Sequence, residues 1–108
     1  MRYSKSWREQ KKLTPETLLK RDVKQVLGHL GWFHFPILQG LGSYPGLCDI
    51  ITCKQGRILF LELKSKKGKQ SPKQKFFQEN IENQGFTYLL IRDIDDLLSV
   101  FRDLGEMK

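Results

Sequence analysis

Asp49 and the tripeptide Glu62-Leu63-Lys64 carry the side chains of this chain most suited to chemistry, at a spacing that can assemble one site. Glu62 and Lys64 end an apolar run, Ile58-Leu59-Phe60-Leu61, that reads as a β-strand. Side chains alternate faces along a strand, so Glu62 and Lys64 point one way while Leu63 points into the core. Asp49 lies early in a second apolar run, Leu47-Cys48-Asp49-Ile50-Ile51, where an aspartate is disfavoured. An unpaired carboxylate buried among Phe60, Leu61 and Leu63 costs on the order of several kcal/mol, so Glu62 requires a partner. A salt bridge to Lys64 supplies one; a cation shared with Asp49 supplies another and also accounts for the aspartate. Two carboxylates with the Leu63 backbone carbonyl form a hard-oxygen set that suits Mg2+ or Mn2+ rather than zinc. Such a cation polarises a phosphate oxygen and acidifies a bound water. Lys64, a compact charge with movable donors, can orient that water or stabilise charge developing on the phosphate.

Two further polar side chains fall on apolar stripes of expected helices. Advancing about 100° per residue, Glu16 lies nearly in line with Val23 and Leu27, although a first-turn glutamate also complements a helix dipole. Gln74 lies in line with Phe77 and Ile81, and it also completes the capping box Ser71-Pro72-Lys73-Gln74. Cys48 and Cys53 are five apart, so strand alternation sends them to opposite faces, and they lack zinc spacing. His29 and His34 share no helical face and read as structural or surface residues.

The charge is clustered. The net charge of +7 includes six lysines within residues 64–75 with no acid among them, and a second cluster at Arg2, Lys5, Arg8, Lys11 and Lys12. Solubility alone does not require such clustering, and nucleic acid is the better partner; Lys66, Lys67, Lys69 and Lys73 are the expected phosphate contacts. No apolar run approaches the roughly 18 residues of a membrane span, and no apolar segment follows the basic start as a secretory signal would require. The expectation is a cytoplasmic protein with no membrane association.

The elements that must position these side chains are legible in order. Residues 1–13 read as a basic arm, and 14–108 as one domain. Thr14-Pro15 caps and opens a helix carrying Leu19, Val23, Val26, Leu27 and Leu30, stopped by Gly31. A strand is expected over 32–38 and a flexible loop over 39–46. Residues 47–53 and 57–64 form an expected hairpin through Lys54-Gln55-Gly56. Ser71-Pro72 opens a second helix that Gly85 ends. Residues 86–91, nearly all apolar, read as a strand buried on both faces and parallel to 57–64. Asp93 caps a last helix, ended by Gly105. The order αβββαβα defines an α/β fold, a small mixed sheet flanked by helices.

Asp49 followed by Glu62-x-Lys64 within that order resembles the PD-(D/E)XK nuclease superfamily, with its restriction-endonuclease-like core. Gly46-Leu47-Cys48-Asp49, Phe60-Leu61-Glu62-Leu63-Lys64, Gly68-Lys69, Ser71-Pro72-x-Gln74 and Leu90-Ile91-Arg92 resemble, more narrowly, the virus-type replication–repair nuclease (VRR-NUC) branch. The resemblance implies that Asp49, Glu62 and the Leu63 carbonyl bind Mg2+ or Mn2+, that Lys64 serves the water, and that Gln74 and Glu16 support catalysis. Cys48 stands where the family usually has proline, a backbone-shaping position rather than a ligand. Stand-alone phage and bacterial members of the branch imply a homodimer cutting Holliday (four-way) junctions in DNA, within a bacterial or phage-infected cell. Two other readings remain open at this point: a monomeric flap or general DNA nuclease, and a nucleic-acid-binding module without catalysis.

Overall fold

Thr14 is extended, and its hydroxyl accepts the Thr17 amide at 3.1 Å, so helix α1 (Pro15–His29) begins at the expected cap with proline in its first turn. The computed structural model describes residues 14–106; the basic arm over 1–13, with its cluster of Arg2, Lys5, Arg8, Lys11 and Lys12, lies outside the described residues. Helix α1 buries Leu19, Val23 and Leu27 and ends at Leu30, before Gly31 with φ of 79°.

Strand β1 covers Phe33–Pro36, shorter than the expected 32–38. Trp32 is still tied to the helix, its amide donating to the Leu27 carbonyl at 2.9 Å and its ring packing on Phe101. Strands β2 (Ile50–Lys54) and β3 (Arg57–Leu63) form the expected antiparallel hairpin, but the loop is two residues rather than three. Lys54 pairs with Arg57, and Gln55 and Gly56 both have positive φ, the backbone of a tight turn that matches strand twist.

Helix α2 (Pro72–Asn83) carries the chain across the sheet, and β4 (Thr87–Ile91) returns parallel to β3. Helix α3 (Ile94–Asp103) follows, with Asp93 and Asp96 forming a reciprocal capping box. The sheet order is β1-β2-β3-β4, so the expected αβββαβα architecture is present. Strand β4 lies at the edge of the sheet among the described residues and is buried on both faces only in part. Tyr88 is buried on the α2 face and Ile91 on the other, whereas Leu89 and Leu90 are half-buried and Phe86 and Thr87, at the start of the strand, are exposed.

Alternation along β3 sorts the core into two layers. Leu59, Leu61 and Leu63 pack with Ile50 and Ile91 against α1 and α3, through Val23, Leu27, Leu97 and Phe101. On the opposite face Phe60, Ile51 and Tyr88 pack against Phe77 of α2, together with Cys48. Cys48 precedes β2, so strand alternation does not govern it, and by parity Cys53 shares the face of Ile51; both thiols are free. Lys54 fastens the far end of the hairpin, donating to the Leu30 carbonyl at 2.7 Å and to Glu106 at 2.8 Å. Among the described residues no helix is long and apolar enough to cross a membrane.

Candidate functional site

Asp49 is held by its own backbone before its side chain does anything. Its amide donates to the Leu61 carbonyl at 2.9 Å, and its carbonyl accepts the Ile37 amide at 2.8 Å. These bonds extend the ladders on both sides of β2 by one residue and leave the carboxylate little positional freedom. Oδ2 accepts the Leu63 amide at 2.7 Å, which binds the aspartate directly to the Glu-Leu-Lys segment. Gln39 of the loop after β1 reaches toward Oδ1 at 3.5 Å and donates to the Leu47 carbonyl at 3.1 Å.

Glu62 is a carboxylate in a place that discourages charge. It is 2% exposed, on the α2 face of the sheet, while its neighbours Leu61 and Leu63 enter the other core layer. Oε2 accepts the Gln74 side-chain amide at 2.9 Å and lies 3.6 Å from the Lys64 ammonium, an ion pair too long for a good hydrogen bond. Oε1 is buried with no partner. Burial, and next the like charge of Asp49, push the Glu62 carboxyl up to about 7; Lys64 pulls it back only in part.

That unpartnered oxygen is the test of whether a cation fits. Native proteins seldom leave a buried polar atom unsatisfied, least of all on a carboxylate with a second carboxylate nearby. A divalent cation would satisfy Oε1 and offset the repulsion between Glu62 and Asp49 together. All the side-chain donors are hard oxygens, which fits magnesium or manganese. Among the described residues, no group of three or more His, Cys, Asp or Glu side chains forms a metal cluster, so side chains would contribute the two carboxylates at most.

The other expected site residues divide. Gln74 does two things at once: its Oε1 accepts the Ser71 amide at 2.8 Å in the capping box, and its Nε2 holds Glu62. Glu16 is exposed in the first turn of α1; its charge reaches Glu62 as the smallest of five influences, and it makes no direct contact there. Lys66, Lys67, Lys69 and Lys73 are all exposed, as phosphate contacts must be. Cys48 supports the site from below, and burial pushes its thiol up to about 12, so it stays protonated and inert.

Arg92 has a role that residue type and spacing did not reveal. Its Nη1 donates to the backbone carbonyls of Ser65 at 2.8 Å, Gly68 at 2.7 Å and Lys66 at 3.3 Å. One guanidinium therefore organises the turn that presents Lys66 and Lys67, and it lines a groove with Pro15, Leu19 and those two lysines. Four consecutive residues lacking a regular ladder, placed after a strand, were the available signal that a donor was needed.

No family model matches the sequence, and no curated protein matches it. Comparison with solved structures does find likeness: the chain is similar to a structure described as a VRR_NUC domain, with a TM-score of 0.73 and 20% identity. The match covers 83% of this chain and 97% of that one. The chain thus has the VRR-NUC fold, a restriction-endonuclease-like α/β core, as its motifs led one to expect.

Proposed function

We propose that this protein is a Mg2+- or Mn2+-dependent DNA endonuclease that hydrolyses phosphodiester bonds at the Asp49–Glu62–Lys64 site. The observation that carries the reading is the buried, unpartnered Oε1 of Glu62 beside a second carboxylate, at the end of the strand that leads into the lysine turn. Asp49, Glu62 and the Leu63 carbonyl would hold the cation, which would supply Lewis acidity at a phosphate oxygen and a more acidic bound water. Asp49 also accepts the Leu63 amide, which ties its carboxylate to the strand segment that carries the Leu63 carbonyl. Gln74 holds the Glu62 carboxylate in place. Lys64, half-buried and paired with Glu62, is the group that orients the attacking water or meets charge developing on the phosphate. Lys66, Lys67, Lys69 and Lys73 bind flanking phosphates and supply affinity without sequence preference.

For substrate and assembly, we favour four-way junctions cut by a homodimer. A two-fold protein carrying two such sites matches a two-fold branched DNA, and the family resemblance points the same way. The test is cleavage of synthetic four-way junctions, flaps and plain duplex with magnesium or manganese, by the wild type and by Glu62→Ala and Lys64→Ala. Junctions should be cut preferentially, and both folded variants should be inactive. Equal cutting of all substrates, or a monomer at assay concentration, replaces the junction reading with a flap or general nuclease. Full activity in the variants moves the chemistry elsewhere. DNA binding without cleavage, and without manganese binding by calorimetry, makes the protein a binding module.

A further inference from the structure

Two aromatic rings stand in solvent beside the site although aromatic side chains normally bury most of their surface. Phe76 of α2 is 58% exposed and Tyr44 of the preceding loop is 51% exposed. They line one groove with Pro45, Pro72 and Lys73. We propose that this groove holds the base of an unpaired nucleotide, stacked on Phe76 and Tyr44, with its phosphate on Lys73. The assignment rests on the nuclease reading and names branched DNA with an unpaired nucleotide beside the branch, which a four-way junction, fully paired, presents only when a base at its crossover is unstacked.

The groove is built rather than incidental. Gly46 has a φ of 81°, and a Cβ there would come within 2.3 Å of the Lys73 carbonyl oxygen, so the loop lies directly on the first turn of α2. Tyr44 is backed by Phe77, with ring centroids 5.9 Å apart. Proline closes the groove from both segments, and the capping box fixes the start of α2. Walls ordered in advance leave little entropy to lose when a flat ligand enters.

Charge and position select the occupant. Among the described residues Lys73 is the one charged residue of the lining, and no acid accompanies it. A planar uncharged ring attached to an anion matches that pairing of aromatic faces and ammonium. Bases within a duplex are already stacked and cannot present their faces, so only an unpaired nucleotide can occupy the groove. Lys73 directly precedes Gln74, whose amide holds Glu62, so the groove and the proposed reaction site share the first turn of α2. Proline-rich peptides also favour aromatic grooves. The lysine and the adjacent site favour the nucleotide.

The experiment uses the full chain in EDTA, where binding is separated from cleavage. Branched DNA carries 2-aminopurine at one unpaired position, and fluorescence quenching reports stacking while anisotropy reports affinity. Wild type should quench the probe. Phe76→Ala should abolish quenching and weaken branched-DNA binding about 5- to 100-fold, with duplex affinity held within about two-fold. Phe76→Trp should restore both. Phe76 is exposed, so these variants should fold; Tyr44→Ala, which also removes packing on Phe77, serves as a second variant with melting as its control. Unchanged quenching in Phe76→Ala, or equal loss of affinity for duplex and branched DNA, overturns the proposal. So does a change of oligomeric state in Phe76→Ala with quenching intact, which would assign the groove to a second copy of the chain. Adding manganese to wild type then separates the two readings. Phe76-dependent stacking without cleavage removes the nuclease and keeps the groove, whereas cleavage without such stacking does the reverse.

Discussion

Gln74 joins the start of α2 to Glu62 by using both ends of one side-chain amide: the oxygen accepts the Ser71 amide at 2.8 Å and the nitrogen donates to the Glu62 carboxylate at 2.9 Å. Helix capping and site geometry are therefore coupled, and paired substitutions separate them. Ser71→Ala should cost about 1 kcal/mol of stability through the lost cap and leave cleavage near wild type. Gln74→Ala should cost a similar amount and also lower cleavage or manganese affinity roughly 10- to 100-fold, the usual effect of removing a group that orients a ligand. Melting and single-turnover cleavage of both variants check this. Equal activity losses would mean that Gln74 acts only through the helix.

The raised Glu62 carboxyl predicts an unusual pH dependence for the metal-free protein. An unfolded glutamate titrates near about 4.3, whereas burial and Asp49 push Glu62 up to about 7 in the fold. The native state then binds this proton more tightly than the unfolded chain does. Its contribution to stability is full below the unfolded value and is lost as pH rises through about 7. In EDTA, Glu62→Gln should melt above wild type at pH 8 by an amount corresponding to at most a few kcal/mol, and the gap should close toward pH 5. Manganese should raise the wild-type melting temperature more at pH 8 than at pH 6, because the cation displaces a proton. A gap that does not change with pH refutes the assignment.

The sequence-legible parts of this molecule are the ones that local rules govern. Thr14-Pro15, Ser71-Pro72 and Asp93 each cap a helix within a few residues of themselves, and all three were readable. Asp49 and Glu62 stand out in the sequence because carboxylates in apolar strands contradict their surroundings, and the structure brings them together with Lys64. The failures were non-local. The partial burial of β4 depends on its place in the sheet, and Arg92 reaches carbonyls 24 to 27 residues away. The aromatic groove depends on Gly46 touching Lys73, a contact between a loop and the first turn of a helix that no periodicity encodes.

Arg92 leads to a prediction about the lysine turn. Lysine at this position keeps the charge, but its side chain is shorter and places the ammonium short of where Nη1 meets the three carbonyls. Arg92→Lys should lose about 1–3 kcal/mol of stability. Trypsin should cut sooner after Lys66, Lys67 or Lys69, and DNA affinity at low salt should fall severalfold. Limited digestion followed by mass spectrometry, with anisotropy titration, measures both. An unchanged digestion pattern together with unchanged affinity would show that the turn holds its shape without the guanidinium.

Asp49→Asn separates the structural and chemical duties of the aspartate, because they predict effects of opposite sign. The amide oxygen can still accept the Leu63 amide, so the 2.7 Å tie between the two strands survives. The negative charge disappears, and with it the second-largest influence raising the Glu62 carboxyl. Without metal, Asp49→Asn should therefore be at least as stable as wild type at pH 8, where Glu62 is otherwise charged beside another anion. Its manganese affinity should nonetheless fall by at least about ten-fold, since a neutral amide oxygen replaces an anionic ligand. Asp49→Ala, by contrast, orphans the Leu63 amide and should cost about 1–3 kcal/mol. Calorimetry with manganese and melting in EDTA on all three proteins decide the matter. If Asp49→Asn binds manganese as wild type does, Asp49 belongs to the strand junction alone and the cation lies elsewhere.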